Sequence, residues 1–318
     1  MHSRFHVFAA IALAAAPGSF IPIGEVHAEN AETAGGPPAR HASFSGHPVM
    51  TWVPAYGIGK AKARLDESFG GNGLQNALTH LALQFWIPAA DGSITTTPKY
   101  GVISDETISL FIRWGHAHGI RVMLCVHNSL ESWDWSLARS AFADHPKEFA
   151  DALVAEADRR GLDGVDIDFE GNGSLDDDKD AFVNFVRDLS GKLHAQGKQL
   201  TVDSFAYRWN APNQTWWRDL LPLVDGLTSM GYADTGLDGE DWRAYASQKA
   251  AAGADAAKLL IGVPSGKDEW RNHPALDQMD WIAADGGVGA AIWDAQLNAP
   301  AWRQDGIWAK IRKISGRK

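Results

Sequence analysis

Cysteine is nearly absent from this chain: Cys125 is the only one in 318 residues. No intrachain disulfide can form, so the core must hold the fold unaided. Cys125 sits in the apolar run Val122 to Val126 and reads as a buried packing residue rather than a nucleophile. Metal-ligand spacing is also missing. The 12 histidines are scattered, and none is set with a cysteine or another histidine as a zinc site needs. Asp176-Asp177-Asp178 with Asp180 lacks the spacing and the glycine of an EF-hand. It reads as a solvated helix start, where negative charge suits the helix dipole. No cofactor is expected. Positive charge is short as well, with 29 Lys and Arg against 39 Asp and Glu and a net charge of −10. That balance argues against a nucleic-acid or anionic-membrane surface.

What is present begins with a secretory pattern. Arg4 precedes an apolar run from Val7 to Ala16, too short to span a bilayer, and Val26-His27-Ala28 offers a cleavage site. Residues 1–28 are therefore expected to be a signal peptide, making the protein secreted or periplasmic and not inserted in a membrane. Residues 29–45, rich in Gly, Pro and Ala without periodicity, read as a disordered linker. Residues 46–318 form the domain, expected to be a monomer. Removal of the signal peptide takes away Arg4 and Glu25 and leaves the mature chain acidic. The sequence holds 14 tryptophans, more than packing usually asks for, and flat aromatic faces suit sugar rings.

Strand and helix patterns then alternate to the end. Strands are predicted at 49–53, 81–85, 121–126, 164–169, 200–205, 226–230, 259–263 and 289–293. Helices are predicted at 106–118, 146–160, 179–196, 242–252 and near 302–314, with weaker patterns after the first strand and near 276–285. Eight such units imply a closed parallel (β/α)₈ TIM barrel. A doubly wound open sheet is the runner-up, but Pro54-Ala55-Tyr56 follows the first strand where a Gly-rich phosphate loop would belong.

The fourth strand carries the chemistry. In Gly164-Val165-Asp166-Ile167-Asp168-Phe169-Glu170 the apolar residues face one way and three carboxylates the other. Like charges so close resist joint ionisation, so at least one proton should be retained near neutral pH. Glu170 comes last, at the C-terminal mouth where barrel active sites lie. An acidic edge strand can simply be wet. The bracketing Gly161 and Gly164, the Gly171-Asn172-Gly173 turn and the surrounding barrel pattern favour acid catalysis instead.

Asp163-Gly-Val-Asp166-Ile-Asp168-Phe-Glu170 resembles the DxxDxDxE signature of glycoside hydrolase family 18. Thr79 to Phe85 looks like that family's second strand, Met230-Gly231-Tyr232 like its Met-x-Tyr element, and Ala291-Ile292-Trp293 like its eighth strand. The resemblance implies substrate-assisted hydrolysis at N-acetylglucosamine, the family's exception to the two-carboxylate rule. Glu170 would be the general acid, and Asp168 would orient the sugar's acetamido group. Asp166 would share a proton with Asp168, and Tyr232 would bond the acetamido oxygen. Trp293 would floor the sugar, with Met230 and Trp52 beside it. Asp163 completes the motif and is counted in the substrate-binding set, although its strand phase points to support of the strand start. Two departures stand out. Ala233 rather than Asp follows the tyrosine, and Cys125-Val126-His127-Asn128 replaces the family's Ser-x-Gly-Gly. Chitin oligosaccharide, the N-glycan core and peptidoglycan are the expected substrate classes. A non-catalytic chitin- or glycan-binding lectin on the same fold is the alternative.

Overall fold

The computed structural model describes residues 44–230, 241–266, 269–270 and 273–317. Eight strands lie parallel: β1 Val49–Pro54, β2 His80–Pro88, β3 Arg121–His127, β4 Gly164–Asp168, β5 Gln199–Ser204, β6 Gly226–Ser229, β7 Leu259–Pro264 and β8 Gly289–Trp293. Each pairs with the next, and β1 pairs with both β2 and β8, which closes the ring. The longer helices are α1 Asp105–Ala117, α2 Pro146–Arg160, α3 Lys179–His194, α4 Asp241–Ala252, α5 Ala275–Asp285 and α6 Asp305–Ser315. The fold is the expected TIM barrel. Among the described residues no helix is long and apolar enough to cross a membrane.

Strand alternation divides the core in two. Val165, Ile167 and Phe169 join Leu81, Leu83, Val122, Leu124, Ala290 and Ile292 in a large shell between barrel and helices. Met50, Trp52, Ala82, Met123, Cys125, Leu260 and Ala291 form a smaller apolar plug inside the barrel. The acids of β4 sit above that plug, on the inward face, so they are desolvated from below.

Packing of α2 fixes the height of β4. Pro146 opens the helix and Gly161, at φ 68°, ends it in the left-handed region that glycine tolerates. Its buried face presents Phe149, whose ring stacks on Phe169 at 6.0 Å and on Phe185 of α3 at 5.3 Å. Gly164 lets β4 approach β5 closely: a Cβ there would lie 2.2 Å from the Gln199 carbonyl oxygen. These contacts hold the strand that carries Asp166 and Asp168.

Some boundaries differ from the sequence reading for local reasons. Strand β2 runs past Phe85 to Pro88 because Ile94–Thr96 folds back antiparallel on it. Its ladder with β3 also bulges between Gln84 and Trp86, so Phe85 and Trp86 both reach the outer shell. A helical turn at Trp135–Arg139, capped by Asp134, continues through Ser140–Asp144 ahead of α2. The last helix is split, because Gln304 is extended between the turn Pro300–Arg303 and α6.

Candidate active site

Asp166 is fully buried, and both of its oxygens are taken by donors. Trp52 Nε1 of β1 donates to Oδ2 at 2.8 Å, and Thr201 Oγ of β5 donates to Oδ1 at 2.6 Å. The Cys125 thiol of β3 adds a third bond. Burial raises the Asp166 carboxyl above its ordinary range, and the Thr201, Trp52 and Cys125 bonds oppose that rise. The buried charges beside Cys125 add to its own burial in pushing the thiol well up, so it stays protonated.

Asp168, two residues along the inward face, receives one bond, from Gln84 Nε2 to Oδ2 at 2.6 Å. Its Oδ1 is buried with no hydrogen-bond partner. Burial raises this carboxyl from 3.8 to about 7, with the Gln84 bond pulling down and the charge of Asp166 pushing up. Glu170 lies just past the strand end, half-buried at the mouth. Burial first, then the charge of Asp168, holds its carboxyl well above the ordinary range. The arrangement is a carboxyl held toward its protonated form at the rim, a second carboxyl with one unpartnered oxygen beneath it, and a third clamped by donors at the base.

The backbone of Glu170 has left the sheet, and Asn128 replaces the ladder. Its Oδ1 accepts from the Glu170 N–H at 2.9 Å and its Nδ2 donates to the Glu170 carbonyl at 3.0 Å. A second Nδ2 bond, to the Asp134 carbonyl at 2.9 Å, anchors the amide itself. Cys125-Val126-His127-Asn128, a departure from the family pattern, thus supports both Asp166 and Glu170. His127 faces Asp168 across the β3–β4 ladder. Burial first, then the charge of Lys99, lowers its imidazole to about 4, so it is neutral, and its buried Nε2 has no partner.

The other expected residues fall in different places. Trp293 is half-buried at the end of β8, its ring 5.7 Å from that of Trp52. Met230 is buried directly after β6. Trp52 is fully buried with its N–H on Asp166, so it supports the acid rather than meeting a sugar. Asp163 is not brought to the mouth. It sits at the opposite end of β4, where Oδ2 accepts from the Val122 N–H at 2.7 Å and meets His116 Nε2 at 2.9 Å. Its place in the substrate-binding set is corrected to support of the strand start, because a residue three before Asp166 is out of phase and one layer too low. Tyr232 lies outside the described residues.

Two features escaped the sequence reading. Asp203, on the inward face of β5, is a further buried carboxyl beside Asp166 and Asp168. The second is an aromatic ladder that climbs from the end of β5. The Phe205 and Tyr207 rings are 5.3 Å apart, and Tyr207 stacks on Trp209 at 4.3 Å. Trp209 is 51% exposed. The ladder is tied to the chain leaving Glu170, because Gly171 and Asn172 pair with Ala211 and Asn210 and the Gly173 N–H bonds the Trp209 carbonyl. Among the described residues no group of three or more His, Cys, Asp and Glu side chains is arranged to hold a metal ion.

A profile of the glycosyl hydrolases family 18 matches residues 55–312. The chain belongs to glycoside hydrolase family 18. A search of curated proteins found no significant match. Among solved structures the family 18 barrel resembles a chitinase from Chromobacterium violaceum, at 16% identity and TM-score 0.65, covering 86% of this chain and 100% of that one. It also resembles the spore cortex-lytic enzyme SleL of Bacillus cereus, at 12% identity and TM-score 0.65, covering 87% and 77%. A third is a catalytic domain of an Ostrinia furnacalis chitinase, solved with an N-acetylglucosamine oligosaccharide, at 14% identity and TM-score 0.62, covering 84% and 96%. At these identities the likeness is one of fold, and it agrees with a glycoside hydrolase of chitinase-like architecture.

Proposed function

We propose that the protein is an exported, retaining hydrolase of β-1,4 linkages at N-acetylglucosamine, acting by substrate assistance as a chitinase or endo-β-N-acetylglucosaminidase. The observation that carries this reading is Glu170, a carboxyl that keeps its proton at the barrel mouth, with Asp168 and Asp166 in line below it. Glu170 gives its proton to the glycosidic oxygen as the bond from that oxygen to the anomeric carbon breaks. The carbonyl oxygen of the sugar's own acetamido group attacks the same carbon and forms an oxazolinium ring. The free Oδ1 of Asp168 accepts the acetamido N–H and balances the positive charge that develops there. Tyr232 donates to the acetamido oxygen and holds it for in-line attack. Water then opens the ring while the Glu170 carboxylate takes its proton, and the anomeric configuration is kept.

Trp293 at the mouth and the exposed face of the Tyr207–Trp209 stack suit the apolar faces of successive sugars. The chitinases among the structural neighbours favour a chitin oligosaccharide, and the cortex-lytic enzyme keeps peptidoglycan in the set. The test is product analysis by mass spectrometry on chitooligosaccharides, a high-mannose glycopeptide and peptidoglycan, each with wild type and Glu170→Gln. Cleavage of one class by wild type alone is expected. Binding without cleavage of any class would turn the reading to a lectin.

A further inference from the structure

Asp203 is a buried carboxyl to which the proposed chemistry gives no role. It is 2% exposed and its Oδ1 has no hydrogen-bond partner. The β4–β5 ladder pairs Asp166 with Thr201 and Ile167 with Val202. The next residues on these two strands, which lie about 4.8 Å apart, are Asp168 and Asp203, both in the inward phase. Asp168 Oδ1 is also buried and without a partner. Two anions could not hold two orphaned oxygens on neighbouring strands, whereas one proton between them satisfies both.

We propose that Asp203 is a positioning residue that carries a proton on Oδ1 and donates it in a hydrogen bond to Oδ1 of Asp168, keeping Asp168 ionised and aimed at the substrate's acetamido N–H. A carboxylate oxygen has two acceptor sites, so the bonds from Asp203 and from the substrate are compatible. Among the described residues the titratable groups that face Asp203 offer no positive charge: Asp166 and Asp168 on β4, Glu170 beyond them and the Cys125 thiol on β3. Thr228 of β6 flanks it on the other side. Burial, then the charges of Asp166 and Asp168, push the Asp203 carboxyl well above the ordinary range, the direction that proton retention requires.

The test has two arms, and only the kinetic one rests on the hydrolase reading. Infrared difference spectra at pH 8 compare wild type with Asp203→Asn. One carbonyl band of a protonated buried carboxyl is expected in wild type and missing from the variant, while the band of Glu170 remains in both. An identical spectrum overturns the proposal. In the kinetic arm Asp203→Leu, which has no donor, lowers kcat by about 10- to 100-fold, the worth of a hydrogen bond to a charged group. KM changes little, and the acid limb of the kcat profile moves to higher pH because Asp168 has lost a bond to its ionised form. Asp203→Asn, whose amide still donates, recovers activity relative to Asp203→Leu. Equal damage in both variants, or a wild-type pH profile in Asp203→Leu, refutes the positioning role. If Asp203→Leu fails to fold, the infrared comparison decides. If wild type cleaves nothing, the hydrolase reading fails and the infrared arm still stands.

Discussion

Replacing Trp52 by Phe removes one donor from a fully buried carboxylate and little else. The bond lost is Trp52 Nε1 to Asp166 Oδ2 at 2.8 Å, with both residues at 0% exposure. A hydrogen bond to a charged group is worth about 1.5–3 kcal/mol. Trimming the indole to a phenyl ring inside the apolar plug adds about 1 kcal/mol of cavity cost. Thr201 still bonds the other oxygen at 2.6 Å, so the carboxylate is weakened rather than abandoned. The sum is about 3 kcal/mol, or a fall in Tm of roughly 5–10 °C for a domain of this size. Activity should change in a separate and diagnostic way. The lost donor favoured the ionised form of Asp166, so its proton affinity rises by about one to two pH units. The acid limb of kcat/KM then moves up by a similar interval. Calorimetry and a pH–rate series read the two effects. A double-mutant cycle with Asp166→Leu separates the bond from the packing, with an expected coupling of about 1.5–3 kcal/mol. Unchanged Tm and an unshifted acid limb would refute the reasoning.

Asp168→Asn should flatten the dependence of stability on pH. The Asp168 carboxyl rises from 3.8 unfolded to about 7 folded, so the folded state binds the extra proton and stability falls as pH climbs through that interval, by on the order of 4 kcal/mol. His80 and His127, lowered to about 4, act oppositely, costing stability as pH drops below about 6.5. The difference between wild type and Asp168→Asn in denaturant melts cancels their part, and a difference independent of pH would contradict the assignment. Asn128→Ala should lower kcat by about 10- to 100-fold with little change in KM, because it frees the backbone that aims Glu170. Steady-state kinetics on a cleaved glycan would show otherwise if KM alone rose. Trp209→Ala should lower kcat/KM about 10-fold on oligosaccharides while sparing an aryl glycoside that has no leaving-group sugar. Equal loss on both would remove the aromatic ladder from the binding surface.

The acids of β4 were legible because a strand repeats every two residues, which puts Asp166, Asp168 and Glu170 on one face without further information. The eight strands and most helices were legible for the same kind of reason. Asp203 offers no such pattern. It is one acid in Leu200-Thr201-Val202-Asp203, and only its shared phase with Thr201 places it inward. Asn128 acts on a backbone 42 residues away, which no spacing encodes. Trp52 illustrates the limit of composition. Counting tryptophans points to sugar faces, yet this indole is fully buried with its N–H turned to an acid. The bulge after Gln84 and the fold-back at Ile94–Thr96 depend on pairing between strands rather than on either segment alone.

The most direct test of the account compares Glu170→Gln with wild type on two N-acetylglucosaminides that differ only in the leaving group. One leaves as a sugar alcohol that needs a proton, the other as an acidic phenol that does not. If Glu170 is the general acid, the variant loses about 100- to 10,000-fold on the sugar leaving group and recovers most of that on the phenol, because the acetamido group still attacks. An equal loss on both substrates would contradict the claim that Glu170 delivers the proton.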